Sequence, residues 1–291
     1  MVQRQKLSRP SFRPRVPIPR GSEGIMTLVG GAIIALFVVL AFFPHLVTPQ
    51  DPIRQDTTVV LNAPSWEHPM GTDQLGRDVL SRVVYGTRVA LLVSVFSVLT
   101  SLVFGLFLGS LAGYYGGKFD RVASFFMDTI YAFPGLVLTI AIVVMLGPSV
   151  LNMAIAISFW YIPTYYRIIR SEVLSTKSKV FVRAARALGA TDFHIIFRCI
   201  LPNVVSSTVV LASLNVADVV LATATVGFLG LGLPPPSPDW GTDLSIGHPF
   251  MLSGKWWLAT FPGMMIVLIT VGFNLFGEGL SEMMNPELRI R

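Results

Sequence analysis

The sequence predicts an all-α, polytopic membrane protein with six transmembrane helices, on three observations. First, its 291 residues are 53% hydrophobic and only 13% charged, about half the charge of a soluble domain. The mean hydropathy is +0.66, and a water-soluble fold of this length needs the missing charge for its surface. Second, six apolar runs are long enough to cross a hydrocarbon core, which takes about 20 helical residues. Third, Lys and Arg alternate between connections, as they do when positive loops stay in the cytoplasm. The same composition excludes disorder, a collagen-like repeat and a disulfide-rich secreted fold. A single cysteine, Cys199, precludes an intrachain disulfide. Four scattered histidines leave no zinc-type ligand cluster.

The six runs are 25–47, 89–115, 122–146, 150–166, 207–232 and 256–280, the fourth being the shortest and richest in aromatics. Residues 1–24 read as a cytoplasmic tail and 25–291 as the transmembrane domain. The first run exceeds the ~7–15 apolar residues of a cleaved signal peptide, and no small-x-small site follows it. It therefore reads as a retained signal anchor. With the N-terminus inside, 17 basic residues lie on inner segments: Arg4 to Arg20 in the tail, Lys118 and Arg121, seven between Arg167 and Arg198, then Arg289 and Arg291. The outer segments hold 5, namely Arg54, Arg77, Arg82, Arg88 and Lys255. Both termini are thus expected inside, and nucleic-acid binding is an unnecessary reading of the basic pI. Three long connections remain: an outer one (48–88), an inner one (167–206) and a second outer one (233–255).

The inner connection carries the sharpest pattern. Lys179–Leu188 (KVFVRAARAL) is a helix with Ser178 as a candidate N-cap and Gly189 as its terminator. Thr191 or Asp192 caps a second helix that is expected to end near Pro202. The result is a basic helix–turn–helix whose small residues Ala184, Ala185 and Ala187 admit close approach by another protein. An amphipathic connector lying on the anionic leaflet fits the same pattern.

The stretch Arg183–Gly189 (RAARALG), then nine further residues and Cys199-Ile200-Leu201-Pro202, resembles the EAA loop of ABC importer permeases. The resemblance implies that Arg183, Ala184, Ala185, Gly189, Leu201 and Pro202 belong to a coupling element docked in a groove of a cytoplasmic ATPase. Arg183 stands where the family has Glu, and Cys199 where Ile is usual. The peptide-importer branch is looser at the first of these positions. His68–Arg82 (HPMGTDQLGRDVLSR), Tyr85-Gly86, Gly227–Gly232 (GFLGLG), Pro235 and Pro236, Trp240-Gly241, residues 274–280 (NLFGEGL) and Asn285-Pro286 resemble the C-type permease subunits of dipeptide and oligopeptide importers. An acid often found shortly before the FLGLG motif is absent, with Ala222 and Thr223 in its place.

The resemblance implies half of a translocation path for di- or oligopeptides delivered by an external binding protein. It also implies a second homologous permease subunit and two cytoplasmic ABC ATPase domains that use ATP and Mg. Nickel, glutathione and oligosaccharide importers share the branch. The chain itself has no GxxxxGK[ST] phosphate loop, so it is expected to be a non-catalytic subunit of a prokaryotic inner membrane, binding no cofactor. A proton-coupled carrier using Asp128 and Asp218 is the rival class; no inverted repeat is evident to support it.

The remaining motifs admit two readings each. Thr72 or Asp73 is expected to cap a helix with the i,i+4 pairs Asp73/Arg77 and Asp78/Arg82. Leu75, Val79 and Val83 would line its membrane-facing side. This element is either an interfacial helix or a gate or contact surface for the binding protein. Trp240, Trp256 and Trp257 suit a belt at the outer boundary. Gly105, Gly109 and Gly113 form a close-packing face, within the subunit or between subunits. Asn215, Asp218, Ala222 and Thr225 share one small, polar face of the fifth run, suited to a water-filled path or to buried interhelical bonding.

Overall fold

Continuous apolar runs in lipid must satisfy every backbone N–H and C=O internally, which helices do. The computed structural model describes residues 22–48 and 50–284 and contains no named strand among them. The helices are α1 (Ser22–Phe42), α2 (Val79–Tyr115), α3 (Gly117–Tyr131), α4 (Gly135–Leu146), α5 (Val150–Lys177) and α6 (Val180–Ala187). The short α7 (Asp192–His194) runs through a π-helical stretch into α8 (Leu201–Val226), followed by α9 (Trp240–Gly247) and α10 (Trp257–Met284). The basic tail, Arg289, Arg291 and Asn285-Pro286 lie outside the described residues.

Several expectations about the spans change. On length and composition, four helical stretches can cross a membrane alone: 23–42, 79–115, 192–231 and 257–283. The third apolar run is not one helix: α3 and α4 meet at 87° across Ala132-Phe133-Pro134 and make a fifth crossing only if taken together. Pro134 sits at the N-cap of α4, where its missing N–H costs nothing and its fixed φ suits a new helix start. The fourth run continues to Lys177 as a 28-residue helix, polar in its second half.

Two local expectations are also corrected. Ser178 closes α5, and Lys179 occupies the N-cap of α6. Pro202 does not end a helix. It lies in the first turn of α8, just after the π-helical Ile195–Ile200, whose altered hydrogen bonding absorbs the lost donor. As expected, Gly189 follows the last residues of α6 with φ +83°, and Thr191 caps α7 through the His194 N–H.

Helix α2 packs along α5 through a seam of small residues four apart. The Ser97 and Ser101 hydroxyls donate to the Ala154 and Ser158 carbonyls at 3.0 Å each. Gly105, Gly109 and Gly113 then continue the line. A Cβ on Gly105 would come within 2.4 Å of the Tyr165 Cβ, and one on Gly109 within 2.8 Å of the Tyr166 carbonyl. The glycine face thus serves packing within the subunit. Helix α1 lies on α10, and α8 fills the space between α2, α5 and α10. The core runs through Val93, Val98, Ile157, Tyr165, Ile169, Val219 and Ile269, all fully or nearly fully buried.

Candidate functional site

The 37 residues of α2 separate two polar assemblies. At its C-terminal end, buried Tyr114 ties the α6–α7 turn to the bundle. Its hydroxyl donates to the Asp192 carboxylate and accepts from Arg186 Nη2 at 3.0 Å. Its carbonyl accepts from Lys177 Nζ, and its ring lies 5.3 Å from the Lys177 ammonium and 5.7 Å from the Arg186 guanidinium. One aromatic side chain thereby holds α2, α5, α6 and α7 together. Helix α6 is anchored by buried Val182, while Arg183, Ala184, Ala187, Leu188 and Gly189 are exposed and Ala185 is half-buried. Leu201 is half-buried and Pro202 exposed at the start of α8.

At the opposite end, the loop motif folds on itself. Asp73 is buried, and its Oδ1 accepts from the N–H groups of Leu75 and Arg77 at 2.8 and 2.9 Å. Its Oδ2 pairs with Arg77 Nε at 2.6 Å. The α2 cap is Asp78 rather than Thr72 or Asp73. Its Oδ2 accepts from the Ser81 N–H at 2.8 Å, and its Oδ1 lies 2.9 Å from His68 Nδ1. With both oxygens engaged, Asp78 does not pair with Arg82 as the i,i+4 spacing suggested.

Arg82, only 3% exposed, turns instead to Asp243 on α9, with Nη2···Oδ1 2.5 Å and Nε···Oδ1 3.1 Å. Its remaining donors reach the carbonyls of Pro52, Pro236 and Ser237 at 3.1–3.2 Å. The guanidinium thus clamps the 48–78 loop, the proline loop and α9 onto the start of α2. Burial pushes the Asp243 carboxyl up to about 6, against the opposing pull of Arg82.

The same end explains the GFLGLG and DWG motifs. The Asp239 carboxylate accepts from Thr242 Oγ1 at 2.7 Å and from the Leu233 N–H at 3.3 Å. A Cβ on Gly232 would meet that carboxylate at 2.2 Å, and one on Gly241 would meet the Ala224 carbonyl at 2.3 Å. Glycine is required where α9 is pressed onto the end of α8. Trp240 and Trp257 are buried, not belt residues. Their indole N–H groups donate to the Val83 and Thr72 carbonyls at 2.7 and 3.2 Å. Val79 and Val83 pack on Trp257 and Leu258 rather than facing lipid. Trp256 alone of the three is largely exposed.

On α8, Asn215 is buried, Asp218 exposed, and Ala222 and Thr225 half-buried. The face is thus continuous from core to surface. Asp128 pairs with Arg167 at 2.8 Å, with both side chains largely exposed.

Residues 105–290 match the family described as "Binding-protein-dependent transport system inner membrane component". The chain belongs to this permease family. It is 41% identical to the dipeptide transport system permease protein DppC of Alkalihalophilus pseudofirmus, over 91% of this chain and 86% of that one. It is 35% identical to the DppC of Haemophilus influenzae over 96% and 98% of the two chains. The glutathione transport system permease protein GsiD of Pectobacterium atrosepticum is 37% identical over 91% and 88%. In fold, the chain is similar to the MetNI methionine ABC transporter solved in inward facing conformations. The TM-score is 0.56, covering 70% of this chain and 97% of that one at 18% identity. The permease is therefore a multi-pass membrane subunit of an importer with the ABC transporter membrane fold.

In the permease, the four motif residues Asp73, Arg77, Asp78 and Arg82 are brought together as a buried polar frame, and the six inner-loop residues are spread over α6, its terminating turn and the start of α8. Three signals escaped the sequence reading. Val180 and Leu188 at the two ends of α6, and Phe193 and Phe197 on the segment after it, are exposed apolar residues, with the Phe193 and Phe197 rings 4.4 Å apart. Tyr114, at the end of a span, gave no hint of its partners Asp192, Arg186 and Lys177. Trp66 is fully exposed on the 48–78 loop, where a tryptophan preceding Glu67 had no pattern to mark it.

Proposed function

We propose that this chain is the permease subunit that forms half of a translocation path for di- or oligopeptides in an ATP-driven importer. Its partners are a second homologous permease, two cytoplasmic ATPase domains that use ATP and Mg, and an external binding protein. The chain crosses the membrane six times, with α5 and the α3–α4 pair each counted as one crossing and both termini and residues 167–206 inside. The observation that carries the reading is α6. It is a short helix held to two long helices through Tyr114, with Ala184, Ala187 and Leu188 exposed. Exposed apolar groups in such a setting mark a protein contact. Arg183, Ala184, Ala185, Gly189, Leu201 and Pro202 then form the ATPase-coupling surface, and Asn215, Asp218, Ala222 and Thr225 line the path. The Asp73–Arg82 frame positions the outer loop, and exposed Trp66 beside it supports docking of the binding protein there.

The relatives named for dipeptide transport carry the substrate class, and the glutathione permeases make a γ-linked tripeptide the second reading. The test is Ala185→Trp in the reconstituted importer. A bulky ring at Ala185 holds the two surfaces apart without touching a span. Insertion is expected to be normal, while ATPase co-purification and substrate-stimulated hydrolysis are lost. Unchanged binding and stimulation would leave α6 as a membrane-surface connector and refute the assignment.

A further inference from the structure

Beside the Asp78 cap of α2, the 48–78 loop surrounds a cavity of about 450 Å³, open to solvent and lined by Gln50, Asp51, Arg54, Asp56, His68 and Asp78. Its size lies in the range of small-molecule sites, roughly 300–1,000 Å³. The lining is polar and carries both signs of charge. Asp51 accepts from the Ile53 N–H through Oδ1 at 2.8 Å. Asp56 accepts from the Thr58 N–H and hydroxyl through its own Oδ1 at 2.9 and 2.5 Å. In each carboxylate Oδ2 has no partner among the described residues. The Thr58 hydroxyl and N–H hold the Asp56 carboxyl below the ordinary aspartate range, so it is ionised at neutral pH. His68 Nδ1 donates to Asp78 Oδ1 at 2.9 Å, because a carboxylate only accepts, and Nε2 of the neutral ring is left as an acceptor. The Arg54 side chain is exposed and makes no hydrogen bond or ion pair among the described residues, although it lies within electrostatic range of Asp56. A bare anion in this cavity meets three carboxylates, and a bare cation meets the Arg54 charge. A small molecule with both charges satisfies the whole set. No cluster of His, Cys, Asp and Glu able to hold a metal occurs among the described residues.

We propose that this cavity is a holding site for a short zwitterionic peptide on the outer face of the permease, with the α-ammonium on Asp51 and Asp56 and the terminal carboxylate on Arg54. The proposal rests on the peptide reading of the importer and on the outward placing of residues 48–88. An ammonium has three N–H donors, which match the two free Oδ2 atoms and His68 Nε2. The guanidinium takes the carboxylate as a bidentate pair. Two extended residues span about 7 Å, so one cavity reaches both ends of a dipeptide, whereas a longer peptide leaves one end outside. The charged groups contact the termini, which peptides of every sequence share, so the site reads length and not side chains. Gln50 Nε2 donates to the Glu67 carbonyl at 3.2 Å, next to exposed Trp66. A binding protein docked on Trp66 therefore releases its cargo at the rim of the cavity.

The test uses the assembled importer in nanodiscs without the binding protein, carrying Cys199→Ser and Gln50→Cys. Labelling of position 50 by a water-soluble maleimide is followed with dialanine, N-acetyl-dialanine or dialanine amide. Dialanine is expected to slow labelling, and the two capped compounds, each lacking one charge, are expected to protect far less. Arg54→Gln removes a charge-assisted partner from an exposed position and is expected to weaken dialanine protection on the order of tenfold. Asp56→Asn, which keeps an oxygen for the Thr58 N–H, is expected to do the same. Protection unchanged in both variants, or equal protection by N-acetyl-dialanine, overturns the site. Equal protection by dialanine amide identifies a cation pocket for a basic side chain of the binding protein and refutes the peptide site. ATP-driven uptake of dialanine by the complete importer is measured in parallel. Uptake without protection at position 50 overturns the site and leaves the peptide reading in place, and absence of both overturns both.

Discussion

Replacing Arg82 with Met keeps the bulk of the side chain and removes the charge that faces Asp243. The pair is deeply buried, with the two side chains 4% and 10% exposed. Removing one member of such a pair costs about 3–5 kcal/mol, because the other is left desolvated and unpaired. The Pro52, Pro236 and Ser237 carbonyls lose donors as well. At about 2–4 °C per kcal/mol for a domain of 150–250 residues, the melting temperature should fall on the order of 10 °C.

The loss should depend on pH, with a definite sign. Burial holds the Asp243 carboxyl at about 6 in the folded protein, above the ordinary aspartate value of about 4. Its contribution to stability is therefore full below about 4 and declines as pH rises through 6. Without Arg82 the folded carboxyl is pushed higher still, so the decline extends to higher pH. The gap between Arg82→Met and the native protein should thus be small near pH 5 and widen toward pH 8. Tryptophan fluorescence reports the melt, since Trp240, Trp256 and Trp257 lie in the same assembly. Adding Asp243→Leu should recover part of the loss, limited by the three carbonyls. A pH-independent gap, or a fall of less than about 2 °C, would refute the clamp as the element holding this end together.

Three further outcomes are expected. Gly105→Ala forces a methyl into the α5 backbone and should cost about 1–3 kcal/mol. Gly263→Ala meets only the Leu244 side chain at 3.8 Å and should gain up to about 1 kcal/mol, so thermal melts of the two should shift in opposite directions. Tyr114→Phe keeps the ring and removes the hydroxyl that joins Asp192 and Arg186. ATP hydrolysis should persist while peptide transported per ATP falls, and an unchanged ratio would remove Tyr114 from the coupling route. Trp66→Ala should leave the melt unchanged and reduce stimulation of hydrolysis by the binding protein, measured by titrating that protein into the reconstituted importer.

The features legible from sequence were those set by spacing along one helix. The four-residue repeat of Gly105, Gly109 and Gly113 announced a close-packed face, and RAARALG announced a helix stopped at a glycine. Partners distant in sequence were not legible. Arg82 has an acid four residues before it, yet its partner is Asp243, 161 positions away, because Asp78 was already committed to the helix cap. Hydropathy reads composition and not direction, so it joined α3 and α4 across a right-angle turn although Pro134 was visible. Trp240 and Trp257 were misplaced for a related reason. An indole serves equally at an interface or in a core, and only the fold reveals a carbonyl within reach of its N–H. Pro202 misled because a proline in the first turn of a helix is as acceptable as one beyond its end.

Helix α2 contains no proline from Val79 to Tyr115, whereas α5 and α10 carry Pro163 and Pro262 inside them. Arg82 near one end and Tyr114 near the other are 32 residues apart, about 48 Å of helix at 1.5 Å per residue. Each end is fastened by a cluster of charged bonds, and the length between is braced by α5 through the serine and glycine seam. Such a strut has no joint in which to lose motion. A tilt of about 10° imposed at the Tyr114 end swings the Arg82 end by about 8 Å over that length. A displacement that tilts α2 at its Tyr114 end would therefore be enlarged at its Arg82 end, with no signal passed from one side chain to the next.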